Sequence, residues 1–536
     1  MFVKRNKNRS GSISIQVLQK QGRSNRLIRT FGTSTDEQIL QRWEIEAKAW
    51  AEEQTNGPSL FENEGMETVK CASDYDAIFS SIAQNDLTLV GPELVYGRLY
   101  DKIGFNNIHT SDNELFKSLV ITRLYKPGSK LRTREYLHYF MNKYYDEDRI
   151  YRYLDELCRR KTSGMSEKEL YEAERKSVKY QIEQITYEQT RRVLGGQVSV
   201  VFYDTTTMYF ESREDDMRVP GWSKDGKSSN PQVVLGLLVA SGGNPIGYEI
   251  HKGNQYEGDT LLPIISKLQK RFAFEKPIVI ADAGLLNKKN IKDLEIQGYE
   301  YILGARIKSM SEDMKAKVLS LNLGSGDSGS IKLTTDRRMV VTMSDSRAKK
   351  NAADRSKGLS RLEKRFKRGT FTKDKINSRG YNKFLSIEGD ATVSIDYSKV
   401  EYDARFDGLK GYTTNSKLSD KEIVENYKYL FMIERAFRFN KTDLDIRPMY
   451  HRLFNRIEAH VCICFIAYTI MLELERLLKD AKSLITLDRA RFLTEKIYQI
   501  SYVNPYNNQR KSVLIKSEHD SEVNELLTII SDACQK

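Results

Sequence analysis

Two short apolar runs that each end in an aspartate constrain this chain more than any bulk property. Val198-Ser-Val-Val-Phe-Tyr203 runs into Asp204-Thr-Thr-Thr207, and Ile278-Val-Ile-Ala281 runs into Asp282-Ala-Gly284. Runs this short and this apolar read as buried β-strands. A carboxylate just past such a strand is held at the carboxyl edge of the sheet, where open α/β sheets bind ligands. Taken alone, each aspartate is more simply a strand-terminating turn residue, so the surrounding pattern has to separate the two readings.

That pattern begins at Gln197. After the first run come strands Gln232–Ala240 and Pro245–His251, separated by the turn Ser241-Gly-Gly-Asn244. A helix at about Asp259–Phe272 leads to strand 277–281, then a helix near Lys288–Gln297 and strand Tyr299–Leu303. The order β-β-β-α-β-α-β is an antiparallel meander entering a parallel half, the layout of a ribonuclease H-like fold. In that layout carboxylates fall on the first strand, after the fourth strand and on a later helix. Glu434 is the candidate for the third, in a helical pattern over Lys421–Lys441. Tyr427, Glu434 and Lys441 recur every seven residues and so share one helical face, which Arg438 adjoins four residues after Glu434. Two strand-borne carboxylates plus a third can hold two divalent cations for phosphodiester chemistry.

Charge placement points the same way. The formal charge is +13. Residues 1–31 carry eight Lys or Arg and no acid, and residues 346–383 carry fourteen against three acids, so the rest of the chain is net acidic. Clustered positive charge on such a background is a footprint for a polyanion. Neither run forms an amphipathic helix with a large apolar face, which favours nucleic acid over a membrane surface. Lys364, Arg365, Lys367 and Arg368 are the candidates for phosphate contact in the second run. In the helical stretch 97–195, Asn113–Leu124, the turn Lys126-Pro-Gly-Ser129 and Lys130–Phe140 form a helix-turn-helix or an ordinary helical hairpin. Arg132 and Arg134 lie early in the second helix, as major-groove entry requires. Five cysteines without a C-x-x-C pair suggest a reducing compartment. No apolar leader follows Met1, and Val461–Leu472 is too short to span a bilayer.

Several motif matches fail on context. Gly221-Trp-Ser-Lys-Asp-Gly-Lys-Ser228 fits the phosphate-loop pattern, but it neither follows a strand nor opens a helix. Gly324-Ser-Gly-Asp-Ser-Gly329 precedes a strand and reads as a turn. His460 and Cys464 are four apart on an apolar helix, the setting of a core histidine and a buried thiol.

Taken together, these residues resemble the DDE transposases of the insertion-sequence-four group. The signature Tyr-x2-Arg-x3-Glu-x6-Lys is met by Tyr427, Glu434 and Lys441, with Leu430 in place of the Arg. The resemblance extends through Tyr203-Asp-Thr-Thr206, Gly221–Asp225, Gln232–Gly236, Gly253-Asn254, Ala281–Gly284, Tyr301–Gly304, Arg447-Pro448 and Arg456-x3-His460, about residues 120–475. It looks closest to the subgroup with a long second spacing, here 152 residues from Asp282 to Glu434. The resemblance implies that Asp204, Asp282 and Glu434 bind two Mg²⁺ ions, with Mn²⁺ expected to substitute. It implies DNA contacts by Tyr427 and Lys441, with Arg435 or Arg438 standing in at Leu430. Double-stranded DNA at transposon ends and target is then the partner, the chain acts as a homodimer on paired ends, and it is cytoplasmic, at a prokaryotic nucleoid, with no membrane. A hairpin pathway in relatives uses a Trp in the insertion, whereas this chain has only Trp43, Trp50 and Trp222.

The expected architecture is α/β, a ribonuclease H-like core in two parts (196–304 and 421–480) around a basic, mostly β insertion (305–420). A basic β-hairpin plus helix (1–55), a linker (56–96) and a helical DNA-binding region (97–195) precede it, and a helical tail (481–536) offers a dimerisation surface. Two other functions stay open at this point: a catalytically inactive or regulatory sequence-specific DNA-binding protein, and a nuclease of the same fold without joining activity.

Overall fold

In a computed structural model, the residues described are all except 23, 57–81, 83–85, 160–163, 211–214, 216, 222–227, 273–275, 286, 368–379, 389–391, 439–443, 445–450, 452, 504–508, 517–520 and 536. They fall into two compact units, Met1–Leu89 with Ile497–Lys516, and Val90–Lys496 with Ser517–Lys536.

In the first unit, alternation in Ile13-Ser-Ile-Gln-Val buries Ile15 and Val17 on one face of an antiparallel sheet. Its strands are β1 (Phe2–Lys7), β2 (Ile13–Gln21) and β3 (Ser24–Ser34). Helix α1 (Glu37–Asn56) closes that face with Leu40, Ala47 and Ala51. The sequence reading expected two strands here. The extra strand, β1, is a charged edge whose Arg5 reaches Glu37 at 2.6 Å and Glu44 at 2.7 Å, and charge on an edge strand hides its β character. Strand β4 (Leu87–Leu89) pairs with Tyr498–Val503, which pairs with Arg510–Ile515, so the tail expected to be helical also holds two strands.

The second unit opens with helices, among them α2 (Asn113–Tyr125), α3 (Lys130–Met141), α4 (Glu147–Leu157) and α5 (Val178–Val193). The Asp112 and Ser129 side chains cap α2 and α3, accepting from the backbone N–H of Leu115 at 2.9 Å and Arg132 at 3.2 Å. Next come β5 (Val200–Tyr209), the two-residue β6 (Val219–Pro220), β7 (Pro231–Ala240), β8 (Pro245–Lys252), α6 (Leu261–Phe272), β9 (Ile278–Ala281), α7 (Lys288–Ile296) and β10 (Tyr301–Ala305). Apart from the two-residue β6, this is the β-β-β-α-β-α-β succession read from the sequence, but β5 runs on through Asp204 to Tyr209, so Asp204 lies within its strand and only Asp282 follows one. Strands β5, β9 and β10 are parallel, and β7 runs antiparallel to both β5 and β8.

The insertion differs from its expectation. Strands β11 (Ser328–Lys332), β12 (Arg338–Met343) and β15 (Leu409–Thr414) extend the main sheet, in the order β11-β12-β15-β10-β9-β5-β7-β6 with β8 on β7. Its longest element is a helix, α8 (Asp345–Lys367), which takes up much of the basic run. The reason is local: 345–367 holds no proline and repeats an inward set, Ala348, Asn351, Arg355 and Leu362, at helical spacing. Arg355 anchors this face through paired 2.6 Å bonds to Asp407, and the Asn351 side chain accepts from the Gly408 N–H at 3.2 Å. A small hairpin, β13 (Leu385–Glu388) with β14 (Thr392–Ile395), stands apart from the main sheet.

The chain then forms α9 (Asp420–Lys428), α10 (Phe431–Arg438) and α11 (Phe454–Asp480). One face of the sheet (Val201, Tyr203, Val279, Ala281, Tyr301, Leu303) packs on α6 and α7, while α10 packs on β5 and α11 on β8 from the other side. The result is three layers, with helices on both faces of the sheet. Helix α11 is long and apolar enough to cross a membrane, yet 94% of its most apolar window is buried inside the unit, as expected of a core helix.

Candidate active site

Strand register builds the site. Tyr203 pairs with Ala281, and Ala281 with Leu303, across three parallel strands. These three side chains face α6 and α7, so the next residue on each strand, Asp204, Asp282 and Gly304, faces the opposite side. The two aspartates therefore stand about one strand spacing apart, roughly 5 Å between backbones. Gly304 in turn pairs with Tyr412 of β15, which completes a row of Asp204, Asp282, Gly304 and Tyr412.

The missing side chain at Gly304 leaves a gap in that row, and Tyr427 from α9 fills it. The Tyr427 phenol donates to Asp282 Oδ1 at 3.1 Å. Burial, with the Asp282 charge beside it, raises the phenol well above its usual range, so it stays a donor. A Cβ on Gly304 would overlap the Tyr427 hydroxyl and come within 3.0 Å of the Ala283 nitrogen. Gly304→Ala is therefore expected to push Tyr427 off Asp282. Displacing a reacting group by about 1 Å costs on the order of 10²-fold in rate, and the variant is expected to lose turnover by about that factor. Circular dichroism beside a turnover assay checks this; unchanged turnover would remove Tyr427 as the support of Asp282.

Glu434 arrives on a separate helix. Residues Tyr429 and Leu430 form a tight turn, with Leu430 N–H bonded to the Tyr427 carbonyl at 3.0 Å and Ile433 N–H to the Leu430 carbonyl at 3.2 Å. The one continuous helical face expected for Tyr427, Glu434 and Lys441 is thus broken, because i to i+3 bonding winds the chain tighter than an α-helix. Lys441 lies outside the described residues, as do Arg447-Pro448, Arg368 and the Trp222–Asp225 part of the resemblance. Helix α10 buries Ile433, Ala436 and Phe437 and leaves Glu434 exposed. It rests on β5 and on the turn Ser241–Gly243, where Gly243 has φ +79° and a Cβ would meet that of Met432 at 3.6 Å. Arg435 is turned away from Glu434 to Glu475 of α11 at 2.8 Å, so it fastens the helix. Arg438 is exposed on the Glu434 side, and Leu430 is buried.

Two residues that the sequence reading missed lie here. Glu257, half-buried, reaches the turn after Asp282, where its Oε2 would be 3.5 Å from a Cβ on Gly284. Lys410 of β15 has its ammonium 4.3 Å from the centre of the Tyr427 ring and 5.6 Å from that of Tyr412. Burial, then Arg347 nearby, lower the Lys410 pKa, while Asp282 and Glu434 act in the opposite sense. No local signal marks Lys410, which sits in an unremarkable Leu-Lys-Gly-Tyr alternation inside the insertion.

The donor set, three carboxylates, suits a hard divalent cation. Asp204 and Asp282 are already side by side, whereas among the described residues no three His, Cys, Asp or Glu side chains close around a common point. Asp204 and Asp282 are placed to hold such a cation together, with Glu434 on the helix that packs against β5.

Of the expected DNA contacts, Arg132 and Arg134 are exposed on α3. On α8, Arg347, Lys350, Lys357, Arg361 and Lys364 are exposed and recur three, four and seven apart, so they line one face for about 26 Å. Arg365 is half-buried at its margin, and Lys367 ends the helix.

Residues 196–470 match the family described as Transposase DDE domain. Among solved structures, the chain is similar to a piggyBac transposase synaptic complex with hairpin DNA determined by cryo-electron microscopy, at 11% identity and a TM-score of 0.39, over 76% of each chain. A comparison with curated proteins finds no match.

Proposed function

The chain belongs to the Transposase DDE domain family, and on that premise we propose that it is a transposase of the insertion-sequence-four group, with a ribonuclease H-like catalytic core. It binds the terminal inverted repeats of its own element, cuts a strand at each end and joins the freed 3′-hydroxyl to target DNA. The placement of Asp204 and Asp282 one residue past a paired row of parallel strands carries this reading, with the helix bearing Glu434 packed on the first of those strands.

Asp204, Asp282 and Glu434 would hold divalent ions, Mg²⁺ first with Mn²⁺ as substitute. Such ions would supply positive charge that stabilises the charge developing in phosphodiester chemistry. The chain does the rest. Tyr427 fixes the orientation of Asp282, and Gly304 leaves the space for it. In the first step a P–O bond forms to water as the P–O3′ bond breaks. The 3′-oxygen leaves with the electron pair and takes up a proton, while the water gives one to solvent. In the second step that 3′-hydroxyl oxygen gives up its proton and bonds to a target phosphorus, as a target 3′-oxygen leaves with the electron pair and takes up a proton.

The test is to incubate the full chain and Mg²⁺ with linear DNA bearing the inverted repeats that flank its coding region. Cleaved and joined products are expected. Nicked product alone would replace the reading with a nuclease, and bound but uncut DNA would replace it with a regulatory binding protein. We further propose that the protein acts as a dimer on paired ends, which light scattering of the DNA complex would check.

The exposed basic face of α8 is assigned to DNA phosphates. Each phosphate contact contributes about 0.9 to the slope of log affinity against log salt. Replacing Lys357, Arg361 and Lys364 together with Gln should flatten that slope by about 2 to 3. A slope that does not change would remove α8 from the DNA path.

A further inference from the structure

We propose that Lys410 is a catalytic residue of this site, donating from its ammonium to a non-bridging oxygen of the phosphodiester that reacts. The inference rests on the proposed function and adds to it a residue outside the signature positions.

Three features of its surroundings carry it. First, strand register fixes the place: Lys410 is two residues before Tyr412 on β15, so it shares the face that holds Asp204, Asp282, Gly304 and Tyr412. Second, its ammonium is held 4.3 Å from the Tyr427 ring centre, and the hydroxyl of that same ring donates to Asp282 at 3.1 Å. The cation is thereby pinned beside the carboxylates by ring faces, an arrangement that holds a cation without using up its N–H donors. Third, among the described residues Lys410 makes no direct ion pair, in contrast to Arg355 and Arg435, whose guanidinium groups are taken by Asp407 and Glu475. A half-buried ammonium with free donors, next to carboxylates that repel a phosphate, offsets that repulsion where the phosphate must sit. Its field is stronger there than on the exposed face of α8, because the surroundings are less polarisable than water.

Lys410 keeps its proton throughout and forms or breaks no covalent bond. Its contribution is to the charge that gathers on the non-bridging oxygens as one P–O bond forms and another breaks.

The experiment compares the wild-type chain, Lys410→Met and Lys410→Arg in single-turnover cleavage of end-bearing DNA, with binding measured in parallel. Lys410→Met should bind DNA within about threefold of wild type and cut about 100-fold more slowly, the usual size of a lost transition-state donor. Lys410→Arg should recover to within about tenfold, since it keeps the cation. Substrates with sulfur in either non-bridging position separate contact from support. The Lys410→Met defect should shrink for one isomer only, because sulfur at the contacted oxygen already removes the bond.

Equal defects on both isomers would overturn the proposal, since a purely structural role through Tyr427 would slow both alike. So would wild-type cutting by Lys410→Met, or a loss of binding as large as the loss of cutting. If the wild-type chain cuts no end-bearing DNA, the transposase reading falls and this inference falls with it.

Discussion

Replacing Asp282 with Ala is expected to abolish cleavage and joining together, by on the order of 10³-fold or more, while DNA binding stays within a few-fold. A carboxylate of this kind supports several kcal/mol of charge stabilisation in the transition state, and each ~1.4 kcal/mol is a factor of ten. Asp282 is exposed, so its loss leaves no hole in the core and folding should not suffer. Asp204→Ala should be equally inactive, because the two residues occupy one row on neighbouring strands. Asp282→Asn separates two roles of the side chain. Its amide oxygen can still accept from Tyr427, which keeps the 3.1 Å bond possible, but its charge is gone. Inactivity of Asp282→Asn equal to that of Asp282→Ala would assign the effect to charge. If any of the three variants converts end-bearing DNA within tenfold of wild type, the assignment of this row as the reaction centre is wrong.

The second large effect concerns stability. Lys179→Met is expected to destabilise the second unit by about 3–5 kcal/mol, the usual cost of stripping one partner from a buried ion pair. Lys179 on α5 is buried, with its ammonium 2.8 Å from Glu249 of β8 and 4.6 Å from the centre of the Tyr248 ring. Glu183 and Glu458, both buried, also face it. Nearby, Lys267 bonds Glu249 at 3.4 Å and Glu174 at 2.9 Å, and Arg271 bonds Glu183 and Glu174. Without Lys179 these four acids keep only two of the three cations, Lys267 and Arg271, in a site with little water. The network matters to function because β8, which among the described residues pairs only with β7, would otherwise offer a bare strand edge. Charge pairing fastens α5 over it and so holds the helical region to the sheet that carries the site.

The same network sets a pH dependence. Burial raises the Glu249 carboxyl, but Lys179, then Lys267, outweigh it and hold its pKa at about 2 against an ordinary 4.5. A carboxyl depressed on folding binds its proton more weakly in the folded state. Its contribution is therefore fully present above the unfolded pKa and is lost as pH falls through the folded one. Urea midpoints should drop between about pH 4.5 and pH 2 in wild type, and Lys179→Met should start lower and drop less. A midpoint for Lys179→Met equal to wild type at pH 7 would show that the cluster is not a buried network in solution.

Much of this arrangement is legible in the chain because it rests on local patterns. The apolar runs before Asp204 and Asp282 are strands in the structure, although β5 continues past Asp204 to Tyr209, and the spacing of the following elements gives the observed order along the chain. The turn Lys126-Pro-Gly-Ser129 marks where α2 gives way to α3. Tyr427 and Glu434 could be named as site candidates from their spacing, but the heptad argument for a shared face fails at Tyr429-Leu430, where a two-residue turn re-aims the chain. Periodicity reports only how a helix would continue, and a turn whose hydrogen bonds shorten from i+4 to i+3 leaves little trace in residue type. The insertion departs from its expectation for a related reason. Its strands look like those of a separate β domain, and only their partners show that β15 belongs beside β10.

By itself, then, the sequence determined that two aspartates directly follow apolar, strand-forming runs, that a helical acid lies far downstream, and that positive charge is gathered in a few segments. Tertiary structure decided that Tyr203 and Ala281 pair in register, which puts Asp204 next to Asp282. It also decided that Gly304 opens a space for Tyr427 and that Lys410 lies against the same ring. The physical reason is range. Side-chain alternation and helical spacing are properties of a few consecutive residues, whereas strand register and the meeting of β15 with α9 are chosen by the packing of elements far apart in the chain.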